Sequence, residues 1–181
     1  NYKRSSQGFS AVVIAEKDGA MERDYDYSAA VYGADLDAPE DVGNSAAKRT
    51  LSRLGPQKPP TGQFPVIYDQ RVSGSIVGTL ASAINGAAIA RGTSFLKDFM
   101  GEQVTSSGLT FIDDPLRPRG MASRLFDGEG LPVTRRAMVE DGVLKSWFLD
   151  IASATKLGLT PNGQAARGMG SAPSPGPSNF C

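Results

Sequence analysis

Apolar side chains fall on every fourth position at the start of residues 70–100, QRVSGSIVGTLASAINGAAIARGTSFLKDFM: Val72, Ile76, Leu80 and Ile84, with Ala87 and Ala88 carrying the stripe on. That spacing predicts a helix with one apolar face. The positions between are mostly Gly, Ala and Ser, so neighbours can approach closely on several sides. Gly74, Gly78 and Gly86 each cost an isolated helix about 1 kcal/mol relative to Ala. Tertiary packing must therefore hold it, and a core helix over 70–90 is expected. Asp69 stands ahead of it as a cap. Arg91-Gly92-Thr93-Ser94 breaks the pattern before a short helical piece over 95–100. Glycine and hydroxyls ahead of a helix either cap it or bind an anion.

The chain before this stretch reads as a hairpin and a helix. β-branched residues over 9–15 predict a strand, Lys17-Asp18-Gly19 a turn and 21–31 a second strand. Tyr25 and Tyr27 share one of its faces, Asp24 and Asp26 the other. The carboxylates are expected on the solvated face, with a catalytic pair as the alternative. A helix follows to about residue 54, with Asp37 as N-cap, Pro39 in the first turn and Val42, Ala46, Leu51 and Leu54 buried. The Pro- and Gly-rich run 55–62 breaks both helix and strand. It divides the chain into regions 1–60 and 61–181, and a short strand over 64–68 opens the second.

After the long helix, 109–112 predicts a strand ending at Asp113-Asp114-Pro115. Residues 132–140 and 143–149 flank Asp141-Gly142, a strong hairpin signal. Trp147 and Phe148 point to opposite faces of its second strand. A short helix over 151–157 closes at Gly158, and a long loop with little to bury runs from 160. Mixed element order, two hairpins and no regular βαβ alternation predict an α+β fold, with a mixed, largely antiparallel sheet and packed helices.

Composition narrows the chemistry. The 181 residues carry nineteen basic and nineteen acidic side chains, which gives no electrostatic reason to expect nucleic acid or an anionic membrane as partner. No apolar run reaches the length of a membrane span. A single cysteine, Cys181, rules out a disulfide framework within the chain and suggests a reducing compartment. Histidine is absent. A Ser-His-Asp or Cys-His site is thus impossible within these residues, and so is a zinc site built on a Cys/His cluster. Asp113-Asp114 is either a strand-end turn or a hard-cation site, with internal ion pairs to Arg117, Arg119 and Arg124 expected. Asp127-Gly128-Glu129-Gly130 is a glycine-rich turn without EF-hand spacing. No residue stands out as catalytic.

Three ordered blocks say more: AINGAAIARGTSFLKDFMGEQV, then GLTFIDDPLRPRGMASRLFDGEGLPVTRRAMVEDGVLKSWFLD, then TKLGLTPNG. Together they resemble the TldD/PmbA family, within it the PmbA (TldE) branch, from about Gly19 to the end. On this resemblance the chain is an internal fragment of a longer TldD/PmbA-type protein. It opens without Met and stops just after a Pro/Ser/Gly loop. In the TldD branch the corresponding helix carries a His-Glu-x-x-x-His zinc motif. An ungapped slide from Arg91-Gly92-Thr93-Ser94 puts Val77, Gly78 and Ser82 at those places. The resemblance implies a non-catalytic subunit of a heterodimeric, cytoplasmic zinc metalloprotease that cleaves or matures unfolded peptides. No catalytic residue and no metal ligand are expected here, and zinc is expected in a TldD-type partner. An extended peptide is the expected substrate. Ser82, Asn85, Arg91 and Thr93 are the candidates to face substrate or partner. The alternatives are a stand-alone hydrolase with its site outside this fragment and a binding or scaffold protein, a modulator of DNA gyrase having been linked to the family.

Overall fold

The computed structural model describes residues 3–181. They form two compact units, 3–66 and 67–181, and each is described by itself.

In the first unit, β1 (Gln7–Lys17) and β2 (Ala20–Ala30) pair antiparallel through the Asp18-Gly19 turn. Both turn residues have positive φ, 51° and 78°. That is the backbone of a tight turn that follows the right-handed twist of a ribbon. A short 3₁₀ turn (Gly33–Asp35) leads to α1 (Pro39–Ser52), which lies on one face of the ribbon. Val42, Ala46 and Thr50 are its buried residues, and Leu51 is exposed. Asp37 does not cap α1. Its carboxylate instead accepts from the Ser28 hydroxyl at 2.8 Å, and Ala38 takes the N-cap place without a side-chain bond.

The faces of β2 are the reverse of the expectation. Asp24 and Asp26 turn toward α1, while Tyr25 and Tyr27 are exposed. The reason is ion pairing across the ribbon–helix interface. Arg53 reaches Asp24 at 3.5 Å and Glu22 at 3.4 Å, and Arg49 reaches Asp26 at 3.6 Å. The Ser45 hydroxyl donates to the same Asp26 carboxylate. These carboxylates are a structural staple.

In the second unit the long helical pattern splits. α2 (Gln70–Ala83) is capped by the Asp69 carboxylate, which accepts from the Arg71 N–H at 3.0 Å. It ends at Ile84, and α3 (Gly86–Ala90) follows. No strand forms over 64–68 and no helix over 95–100. Three short strands make one antiparallel sheet: β3 (Phe111–Asp113), β4 (Arg136–Glu140) and β5 (Val143–Leu144), in that order. α4 (Ile151–Leu157) has a capping box between Asp150 and Ser153 and ends at Gly158 in the left-handed conformation. β6 (Ala165–Ala166) and β7 (Ser174–Pro175) form a further small pair.

The core of this unit gathers Ile84, Leu96, Met138, Val139, Leu144 and Phe148, with Phe111 and Phe180 packed against it. Only the C-terminal end of the α2 stripe takes part. Ala81, Ala83 and Ile84 are buried, but Val72 and Ile76 are about half exposed, at 50% and 48%. Among the described residues no helix is long and apolar enough to cross a membrane.

Candidate functional site

The break between α2 and α3 positions the candidate residues, and it has a clear cause. The Ile84 carbonyl and the Gly86 N–H leave helical pairing to bond a passing extended segment. The Phe148 N–H donates to the Ile84 carbonyl at 3.0 Å, and the Gly86 N–H donates to the Phe148 carbonyl at 2.8 Å. A Cβ at position 86 would overlap that carbonyl and the Leu149 side chain. Glycine is therefore required there by close approach. Asn85 sits between them, extended, and starts α3. Its Oδ1 accepts from the Ala87 and Ala88 N–H groups, and its Nδ2 donates to the Pro175 carbonyl at 2.8 Å. Both side-chain atoms of Asn85 are thus engaged in holding α3 to β7.

The other candidates lie on the surface nearby. Ser82 is exposed, and its hydroxyl donates back to the Gly78 carbonyl at 2.9 Å. Ser73, Ser75 and Thr79 bond their own helix in the same way. Past Ile76 the exposed residues of α2, Gly78, Thr79 and Ser82, are small and neutral, and their hydroxyls are not activated. Arg91 and Thr93 are exposed just past α3, with the Thr93 hydroxyl donating to the Ala88 carbonyl. The structure brings Ser82, Asn85, Arg91 and Thr93 to the two ends of α3. It does not join them into one hydrogen-bonded cluster.

The residues at the zinc-motif places do not fit zinc. Val77 offers hydrocarbon, Gly78 no side chain and Ser82 a back-bonded hydroxyl. Zinc takes thiolate, imidazole or carboxylate. Among the described residues no group of three or more His, Cys, Asp or Glu side chains converges.

The buried carboxylates of the second unit are structural too. Asp113 accepts from Gln164 Nε2 at 3.1 Å and from the Ser178 N–H at 2.7 Å. Asp127 accepts from the N–H groups of Glu129, Leu131 and Ala165. Asp114 accepts from the Leu116 N–H and pairs with Arg135 at 3.7 Å. Arg124 turns elsewhere, donating to the carbonyls of Ala165 and Gly176. The residues after 160 do more than the loop reading allowed, since Gln164, Ala165 and Pro175 are buried. Sequence reasoning also passed over Arg136 and Lys145 and gave Trp147 only a place on a strand face; all three line a cavity of about 660 Å³. The available signal was the Asp141-Gly142 turn, which brings the Lys145 and Ser146 N–H groups back to the Met138 carbonyl.

The comparisons with known proteins agree with this picture. The PmbA/TldA metallopeptidase C-terminal domain matches residues 61–181, and the central domain of the same family matches 1–54. Metalloprotease PmbA of Escherichia coli O157:H7 is 42% identical over 91% of this chain and 36% of its own length. The PmbA homologue of Haemophilus influenzae is 36% identical over 91% of this chain and 37% of its own. The chain thus spans little more than a third of these relatives. Among solved structures, a protein from Bacteroides thetaiotaomicron described as a candidate modulator of DNA gyrase superposes with a TM-score of 0.87. It is 28% identical, over 99% of this chain and 38% of its own. TldE from Thermococcus kodakarensis gives 0.70 at 19% identity, over 96% of this chain and 39% of its own, a likeness of fold alone. The α+β architecture of a longer protein and the sequence matches converge, and the chain belongs to the PmbA/TldD metallopeptidase family.

Proposed function

We propose that this chain is part of a PmbA/TldE-type subunit that performs no hydrolysis itself and completes a peptide-processing protease with a zinc-bearing, TldD-type partner. One observation carries the reading. The helix that resembles the zinc-motif helix has Val77, Gly78 and a back-bonded Ser82 at those places, in its C-terminal half, where the exposed residues are small and neutral. Such a surface suits close approach of another backbone and supplies neither a metal ligand nor a general base. The substrate would be an extended peptide, held by strand addition, and the lone Cys181 is in keeping with a reducing cytoplasm.

The test is a cleavage assay on the full-length protein, alone and mixed with its TldD-type partner, with zinc measured in the same samples. Cleavage and zinc confined to the mixture are expected. Cleavage by the protein alone would move the active site to sequence outside this chain. Binding of partner or peptide without cleavage in the mixture, with a known substrate present, would favour a modulator.

A further inference from the structure

The cavity beside the second hairpin combines an apolar floor with charge of one sign. Met100, Leu149, Leu157 and Leu159 supply hydrocarbon, and the Trp147 ring a flat wall. Its volume of about 660 Å³ is that of a small-molecule site. Arg136 and Lys145 both line it, and no carboxylate does. Among the described residues neither cation has an ion-pair partner, whereas the neighbouring Arg135 is paired with Asp114.

Hydrogen-bonding capacity is unbalanced in the same direction. The Arg136 Nε and the Trp147 Nε1 are buried donors without an acceptor among the described residues. Buried donors are ordinarily satisfied. Asn162, which also lines the cavity, bonds backbone instead. Its Oδ1 accepts from the Leu149 N–H at 3.1 Å, and its Nδ2 donates to the Trp147 carbonyl at 2.8 Å. Those two bonds pin the rim of the cavity, so the site is built on fixed backbone. With Arg136 and Lys145 on its wall and no carboxylate among its lining residues, the cavity carries positive charge without a counter-charge.

We infer that this cavity binds an apolar carboxylate: an aliphatic or aromatic group on Trp147 and the leucines, its carboxylate facing Arg136 with Lys145 at the mouth. A guanidinium suits the flat, two-oxygen carboxylate, and the apolar floor excludes inorganic anions from the better part of the binding energy. Two sources share this chemistry, a free organic acid and the C-terminal residue of a peptide. The inference stands on the cavity alone and is independent of the protease reading.

Calorimetric titration of the full-length protein tests it. The probes are N-acetyl-phenylalanine, its primary amide, acetate, and a short peptide ending in phenylalanine with a free or amidated terminus. N-acetyl-phenylalanine is expected to bind at least about tenfold more tightly than the amide or acetate, the worth of one charge-assisted pair. Arg136→Gln is expected to weaken the acid about tenfold and to leave the amide unchanged. Lys145→Gln, on an exposed residue whose loss spares the fold, is expected to cost about threefold, an effect that shrinks with salt. Tighter binding of the free-terminus peptide than of the free acid would name a chain terminus as the ligand. The reverse order would name a small organic acid. Equal binding of acid and amide, or no binding at about 5 mM, would overturn the inference.

Discussion

The two units place their charges in opposite ways. In the first, ion pairs of arginines with carboxylates lie beside Val42, Ala46 and Thr50 between ribbon and helix, and the ribbon's other face shows Val12, Ile14, Met21, Tyr25 and Tyr27 to solvent. In the second, hydrocarbon fills the centre, and the buried carboxylates Asp113 and Asp127 bond backbone and amide N–H groups, without an ion pair among the described residues. Partly exposed ion pairs contribute little, of the order of 1 kcal/mol or less. Desolvated carboxylates with full sets of donors contribute more, because breaking them strands several groups at once. The second unit should therefore hold most of the stability per residue, and the first should behave as a layer that relies on what covers it.

The largest test of that contrast is Phe148→Ala. Phe148 is fully buried and touches the core and the α2–α3 break. A loss of about 3–5 kcal/mol is expected in urea unfolding, with hydrogen exchange accelerated across the second unit and unchanged in β1 and β2. Equal acceleration in both would show that the units unfold as one. A smaller effect is expected from Asp113→Ala, about 2–3 kcal/mol. Exchange at the Ser178 amide should rise first, since that N–H loses its acceptor. The smallest belongs to the first unit: Ile14→Ser, on the open face of the ribbon, should shift stability by no more than about 0.5 kcal/mol. A loss several times larger, measured in the full-length protein, would show that this face is buried there.

Local chemistry made much of this fold legible. Asp18-Gly19 and Asp141-Gly142 announce their turns because few residues tolerate positive φ. Asp69 and Gly158 mark helix ends for equally local reasons. What the pattern could not give was decided by distant partners. Asp24 and Asp26 look like a solvated face until Arg49 and Arg53, more than twenty residues away, come to meet them. The 70–90 stripe looks like one helix until Phe148 bonds its middle. Of the candidate residues, the exposure of Ser82 beside Gly78 and Thr79 on α2 follows from helical spacing. The structural task of Asn85 does not, because its partner is Pro175. The cavity at Trp147 was missed for the same reason, its walls coming from four separate stretches of chain.

The end of the chain adds a matter of timing. Ile112 and Cys181 exchange both backbone hydrogen bonds, at 2.7 and 3.0 Å, so the last residues lie beside β3 as one more strand. Phe180 is brought edge-on to Phe148, ring centres 5.4 Å apart, and against Phe111 at 6.0 Å. A contact joining positions nearly seventy residues apart is slow to form. A nascent chain leaves the ribosome from its N-terminal side. The hairpin and helix of the first unit, whose pairings are near in sequence, can assemble while synthesis continues. The second unit must hold Phe111 and Phe148 unsealed until residue 180 has emerged, and that interval is when the growing protein is most open to aggregation or to capture by a chaperone.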